Sequence, residues 1–256
     1  MAYEFIISEV ADGVATLTMN RPDALNALTI ALLTEAGDAL ADLSARDDVS
    51  VVILTGAGRA FSAGVDLKAL QAAGQDVSAG DVGTELNTAA RRVQHLLAGM
   101  PQATIAKVNG FCFTGGLEIM LACDIIISAD EAKFGDTHAM IGLRPTWGMT
   151  QRLARRVGMM RAKELSFTAR TISGTEAAGY GMVMESVPRA DLDAHVAKLA
   201  SAIATNSSGS IAAYKDLYGR SENTGLDDGL IYEADTKYEI KDVEERMAAI
   251  LARLKG

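Results

Sequence analysis

Cysteine is scarce in this sequence, with two in 256 residues, and Cys112 and Cys123 lie among apolar neighbours rather than at metal-ligand spacing. They read as buried, reduced thiols of a cytoplasmic chain, and no metal site is expected. Histidine is almost as rare. His95 and His195 fall on helical stretches without a partner pattern, which favours surface or interface roles. Positive charge is also short: 24 Lys and Arg face 33 Asp and Glu, a formal net charge of −9. Dense phosphate neutralisation is therefore not available, and no basic run interleaved with aromatics occurs, so nucleic acid is excluded as a partner. A small anionic ligand needs only a few local groups and stays open. No apolar run approaches the ~20 residues of a membrane span. The first residues lack the basic start and apolar stretch of a signal peptide. A soluble, cytoplasmic protein without membrane contact is expected, and no dinucleotide-binding fingerprint appears.

What is present suits a sizeable core, with 49% apolar and 22% charged residues. Residues 14–19 alternate apolar and polar, the pattern of a strand, and Asn20-Arg21-Pro22-Asp23 is a turn. Leu32, Leu33, Ala36, Ala39, Leu40 and Leu43 recur at helical spacing, with Thr29 as candidate N-cap. Residues 49–55 form a β-branched run suited to a strand buried on both faces, and a glycine-punctuated loop follows over 56–64. The same order returns as a strand at 103–109, a loop at 110–116, a helix to about 123 and a strand at 124–128. Alternating strands and helices predict an α/β domain. Residues 71–83 read as a mobile surface loop. After Pro188, residues 191–204, 211–218 and 229–254 carry helical spacing. The expected organisation is a core over residues 1–187 and a C-terminal helical region over 188–256. No strict internal repeat is visible.

Two segments carry candidate chemistry: Gly58-Arg59-Ala60-Phe61-Ser62-Ala63-Gly64-Val65-Asp66-Leu67-Lys68 and Val108-Asn109-Gly110-Phe111-Cys112-Phe113-Thr114-Gly115-Gly116-Leu117-Glu118. Each sets small residues where a strand gives way to a helical turn, whose first N–H groups have no internal acceptor. Two such donors converging on one point make an oxyanion hole, worth about 3 kcal/mol per donor in a transition state. Read from spacing alone, the glycines serve either that purpose or ordinary turns and tight packing.

These segments resemble the signature of the crotonase (enoyl-CoA hydratase/isomerase) superfamily. Flanking matches are Gly13-Val14-Ala15, Asn20-Arg21-Pro22, Ala24-Leu25-Asn26-Ala27-Leu28, Ala122-Cys123-Asp124 and Gly148-Met149-Thr150-Gln151-Arg152-Leu153. Ala177-Ala178-Gly179-Tyr180-Gly181-Met182-Val183 stands in the place of a family strand. The likeness runs from about residue 13 to 187. It implies a ββα superhelix core, an acyl-coenzyme A substrate and no cofactor beyond the substrate's own coenzyme A. It also implies a homotrimer or dimer of trimers. Carried over by position, the oxyanion donors are the N–H groups of Val65 and Gly115. Ala24, Ala63, Asp66, Leu67 and Lys68 match stretches that line the coenzyme A arm, with Lys68 and Arg21 as phosphate neighbours or merely solvated cations.

Hydratases of this family resemble one another in using two glutamates around a water. Glu118 matches the first, in an apolar setting where an unused carboxylate is costly. At the second position the chain departs, and His138 stands in Phe134-Gly135-Asp136-Thr137-His138. An imidazole exchanges protons near neutral pH, so His138 either assists catalysis or is a hydrogen-bonded pocket histidine. Asp136 either orients it or, as the turn chemistry favours, closes the turn. Trp147 occupies a stretch that is glycine-rich in hydratases, and either walls the acyl pocket or packs in the core. The resemblance thus implies an enoyl-CoA hydratase-like lyase, with Glu118 as main acid/base and His138 assisting. The exchange of glutamate for histidine leaves open an acyl-CoA-binding protein without hydration, or another superfamily reaction such as isomerisation, hydrolysis or decarboxylation.

Overall fold

The computed structural model describes residues 3–254 of the chain. In chain order the strands are β1 (Ile6–Ala11), β2 (Val14–Met19), β3 (Val51–Gly56), β4 (Ala60–Ser62), β5 (Ala103–Val108), β6 (Phe111–Phe113), β7 (Ile125–Ala129), β8 (Lys133–Gly135), β9 (Ile172–Ser173) and β10 (Glu185–Val187). The helices are α1 (Ile30–Ser44), α2 (Leu67–Ala72), α3 (Thr84–Gly99), α4 (Gly115–Met120), α5 (His138–Ile141), α6 (Met149–Val157), α7 (Met159–Thr168), α8 (Gly174–Gly179), α9 (Leu192–Ala204), α10 (Ser208–Ser221), α11 (Leu226–Asp235) and α12 (Val243–Leu254).

Consecutive strands divide between two sheets. The larger runs β1-β2-β3-β5-β7-β10 and the smaller β4-β6-β8-β9. Thus β3 and β4, β5 and β6, and β7 and β8 each place one strand in each sheet before a helix carries the chain to the next turn. This is the ββα superhelix expected from the resemblance. The pairs β2–β3, β3–β5, β5–β7 and β7–β10 are parallel, whereas β1 pairs antiparallel with β2. All six residues of β3 are buried, as a β-branched run between two covered faces requires. β2 alternates half-buried and buried positions. Thr29 caps α1, its side chain accepting from the Leu32 N–H at 3.2 Å.

Three expectations change. The glycine-rich loops at 56–64 and 110–116 contain β4 and β6, three residues each, too short to show a period and flanked by glycine. Residues 177–183 are the end of α8 and a turn; the strand is β10, which begins at Glu185. The helical spacing over 229–254 is broken between α11 and α12, where Asp242 accepts from the α10 N-cap Ser207 at 2.5 Å. The C-terminal helical region packs on the core, where α9 lies against β2, β3, β5 and β7. Both cysteines are buried and unpaired, and burial pushes the Cys123 thiol up to about 12. No helix among the described residues is long and apolar enough to cross a membrane.

Asn26 joins the segment before α1 to the β3–β4 corner. It is fully buried, at φ +54°, a left-handed conformation that asparagine tolerates better than most residues. Its Oδ1 accepts from the Arg21 N–H at 2.8 Å, and its Nδ2 donates to the carbonyls of Ala57 and Ala60 at 3.0 and 2.8 Å. Ser62 Oγ donates to its backbone carbonyl at 2.9 Å. Replacing Asn26 by Ala strands one donor and two acceptors. The urea midpoint of the Asn26→Ala variant should fall by the equivalent of about 2–4 kcal/mol, with an unchanged m value.

Candidate active site

The two glycine-rich segments meet because β4 and β6 pair in parallel, with Ala60 opposite Phe111 and Ser62 opposite Cys112. Three residues beyond each of the latter partners stand Val65 and Gly115. Contact between the two turns is close. A Cβ on Gly64, at φ +90°, would lie 2.1 Å from Thr114 Oγ1 and 2.9 Å from the Phe113 carbonyl, so only glycine fits. Thr114 itself takes φ +42° at the N-cap of α4.

Leu28 fixes the direction of the first donor. Its N–H donates to the Gly64 carbonyl at 2.8 Å, and its carbonyl accepts from the Asp66 N–H at 3.0 Å. Strand alternation then turns the Val65 N–H to the opposite side, where no protein acceptor meets it among the described residues. Gly115 opens α4, so its N–H has no intrahelical acceptor, and it too is without a protein partner among the described residues. Two free donors at the ends of paired strands are the requirement for an oxyanion hole.

One turn into α4, the Glu118 side chain is buried, with 2% of the residue exposed. Its Oε1 accepts from the N–H groups of Trp147 and Met149, both at 3.0 Å, at the start of α6. Its Oε2 faces His138 Nε2 at 3.6 Å. Burial raises the Glu118 carboxyl above its ordinary range, and the nearby His138 and the two N–H donors offset only part of this. His138 Nδ1 lies 2.6 Å from Asp136 Oδ1, and Asp136 Oδ2 accepts from Ser166 Oγ at 2.6 Å. Burial would raise Asp136 as well, but the bonds from His138 and Ser166 outweigh it and hold the carboxyl below its usual value. An ionised Asp136 accepts, so Nδ1 carries a proton and the ring presents Nε2 toward Glu118. Closing the turn, the role that the turn chemistry favours for Asp136, is therefore not its main one. Its carboxylate orients His138.

Glu118 thus faces His138 across 3.6 Å, and Gly115 opens the short helix that carries Glu118. Ala24, Ala63, Asp66, Leu67 and Lys68 flank, in sequence, the bridge between Leu28 and Val65. The Ala63 N–H donates to the Leu25 carbonyl at 3.0 Å, which brings the stretch holding Ala24 beside it. Asp66 caps α2 through the Ala69 N–H at 3.0 Å and pairs with Arg21 at 3.0 Å. Arg21 is therefore engaged internally, whereas Leu67 and Lys68 are exposed on the first turn of α2. Trp147 is buried against the site. A Cβ on Gly115 would sit 2.5 Å from its ring and 3.3 Å from Leu28 Cδ1. Three polar residues escape a reading of sequence alone. Asn87 Oδ1 accepts from Trp147 Nε1 at 2.7 Å. Gln94 Nε2 donates to the carbonyls of Glu118 and Trp147 at 2.9 and 2.6 Å, and Ser166 supports Asp136. Asn87 and Gln94 stand on the buried stripe of α3 with Leu86, Ala90, Val93 and Leu97. A polar residue on such a stripe is the signal that reveals them.

The sequence model of the enoyl-CoA hydratase/isomerase family matches residues 9–254. The chain belongs to that family. It is 34% identical to a probable enoyl-CoA hydratase of Mycobacterium tuberculosis, over 99% of this chain and 97% of that protein. It is 35% identical to a crotonyl-CoA hydratase of Syntrophomonas wolfei, over 100% of this chain and 98% of the other. Among solved structures, an enoyl-CoA hydratase from Bacillus anthracis superposes with a TM-score of 0.89 at 34% identity, covering 98% of this chain and 97% of that one. Within the family's fold, this chain's pairing of His138 with Asp136 has a direct spectroscopic signature. A downfield Nδ1–H proton resonance from His138 is expected in the native protein and should vanish in Asp136→Ala; its persistence in that variant would show another acceptor.

Proposed function

We propose that the protein hydrates 2-enoyl-CoA thioesters, and the observation that carries this reading is the facing pair of bases, Glu118 Oε2 and His138 Nε2, 3.6 Å apart beside two unpartnered N–H groups. A water at ordinary hydrogen-bond distance from both bases fits as the apex of a triangle, donating one hydrogen to each. Its lone pairs then face the substrate. As the water oxygen bonds to Cβ, one proton passes to Glu118, and the charge moves onto the thioester oxygen held by the Val65 and Gly115 N–H groups. Glu118 returns the proton to Cα, and the 3-hydroxyacyl thioester results. His138 holds the second hydrogen throughout, its ring fixed by Asp136. The reaction asks for no cofactor beyond the substrate's coenzyme A. The relatives' printed activities and the family membership support this choice over the other reactions of the superfamily.

The coenzyme A arm is assigned to the rim of Ala24, Ala63, Asp66, Leu67 and Lys68, with Lys68 as the exposed cation for a phosphate. We further assign the working form as a homotrimer or dimer of trimers in the cytoplasm. The uncovered apolar side chains of α12, Met247, Ile250, Leu251 and Leu254, support a surface for another copy. The buried, unpaired cysteines accord with a reducing compartment.

The first test is the loss of conjugated-thioester absorbance on mixing with crotonyl-CoA. Glu118→Gln should lower kcat by about 10²–10⁴-fold with acyl-CoA binding retained, and His138→Gln by about 10²-fold. Turnover unaffected by Glu118→Gln would overturn the mechanism. Binding without hydration in the native protein would assign the site to binding or to a different reaction. The water-activating form of Glu118 is the carboxylate, whose pKa is raised, so activity falls as pH drops through that raised value. The acid limb of kcat/KM should accordingly lie above the ordinary glutamate value of about 4.3. Asp136, held below its usual range, stays ionised across that limb.

A further inference from the structure

We propose that Trp147 is the residue that sets acyl-chain length, closing the site behind Cβ so that it takes short 2-enoyl thioesters. The inference rests on the reading of this site as one for acyl-CoA. With the thioester oxygen between Val65 and Gly115 and the water between Glu118 and His138, the chain beyond Cβ must leave through whatever space borders Gly115 and Glu118. The indole fills that border. Its ring stands where a Gly115 side chain would point, at 2.5 Å from the ideal Cβ, with Leu28 at 3.3 Å beside it. The Trp147 backbone N–H donates to Glu118 Oε1 at 3.0 Å.

The wall is anchored. Trp147 Nε1 donates to Asn87 Oδ1 at 2.7 Å, Asn87 Nδ2 donates to Asp81 Oδ1 at 2.6 Å, and Asp81 Oδ2 pairs with Arg144 at 2.7 Å. Gln94 grips the Trp147 carbonyl at 2.6 Å. A side chain held at its ring nitrogen, its backbone N–H and its carbonyl does not swing aside for a longer chain.

Leu28, which flanks Gly115 together with the indole, also borders open space. A cavity of about 400 Å³ between α2 and α3 is lined by Leu28, Leu70, Val82 and Leu86 and also by the polar Asp66 and Glu85. It shares Leu28 with the indole, and its α3 lining ends at Leu86, next to the Asn87 that anchors the ring. Shortening Trp147 takes the ring away from Gly115 and Leu28 and is expected to open room toward this cavity. Removing the indole leaves Asn87 Oδ1 with the Thr146 hydroxyl, 2.9 Å away, so the anchor is not orphaned.

The test measures kcat/KM for 2-enoyl-CoAs of four, six, eight and ten carbons in the native protein, Trp147→Ala and the milder Trp147→Leu. Binding of the saturated butanoyl- and octanoyl-CoA is measured by calorimetry alongside. The native protein should prefer four carbons to eight by at least about tenfold, since each methylene refused or accepted by an apolar pocket is worth about tenfold or more. Trp147→Ala should move the eight-carbon to four-carbon ratio upward by about tenfold or more, and Trp147→Leu by less. Native turnover of eight- and ten-carbon substrates equal to that of four, or variants that lower every chain length alike, would overturn the assignment. Calorimetry keeps the two readings apart. If nothing is hydrated but butanoyl-CoA binds better than octanoyl-CoA and Trp147→Leu removes the difference, the wall stands and the hydratase reading fails. Equal binding of both thioesters by the native protein would remove the wall whatever the chemistry.

Discussion

The parallel pairing of β4 with β6 carries the site. Each strand is only three residues long, yet their register decides that Val65 and Gly115 end at the same level, with their N–H groups unspent. The larger sheet supports that pairing from below, since β3 leads into β4 and β5 into β6 across corners tied by buried amides. Asn26 holds the first corner, and Asn109 Nδ2 reaches the carbonyls of Gly56 and Gly58 at 2.7 and 3.0 Å from the second. Slippage by one residue would turn one donor inward and leave an isolated N–H facing the substrate.

The second constraint is electrostatic. Glu118 is a buried carboxylate stabilised by two N–H groups at the start of α6 and destabilised by loss of water, and the balance leaves it easier to protonate than a solvated glutamate. A second carboxylate directly opposite would add like-charge repulsion. Here the opposite group is an imidazole, and the negative charge sits one step back, on Asp136. The charge is kept near Glu118 but does not face it directly. Ser166 completes the chain by satisfying the remaining oxygen of Asp136.

Much of this was legible in the residues. The period of two at 14–19, the α1 stripe with its Thr29 cap and the β-branched run of β3 each follow from patterning that tertiary packing does not override. Glu118 stood out because a carboxylate amid Leu117, Ile119, Met120 and Leu121 needs a reason. The short strands were hidden because three residues between glycines carry no measurable period. The partnership of Asp136 with His138 was hidden for another cause: Asp-Thr-His looks like turn chemistry, and only the burial of the turn converts a local cap into an orienting carboxylate. Asn87, Gln94 and Ser166 act on groups 24 to 60 residues away, separations at which one sequence holds no contact information. Trp147 is conspicuous in the sequence, and the structure buries it in the core with its ring beside Gly115.

Thr114 has a consequence for how this fold trades stability against function. At φ +42° it occupies a backbone region that a side chain ordinarily avoids, and its hydroxyl is wedged against the bare Cα of Gly64. A glycine at 114 would ease that conformation but would also remove the hydroxyl that fills the space beside Gly64. The turns that present the Val65 and Gly115 N–H groups therefore meet without slack, and part of that fit rests on a backbone conformation that a residue with a side chain adopts only at a cost.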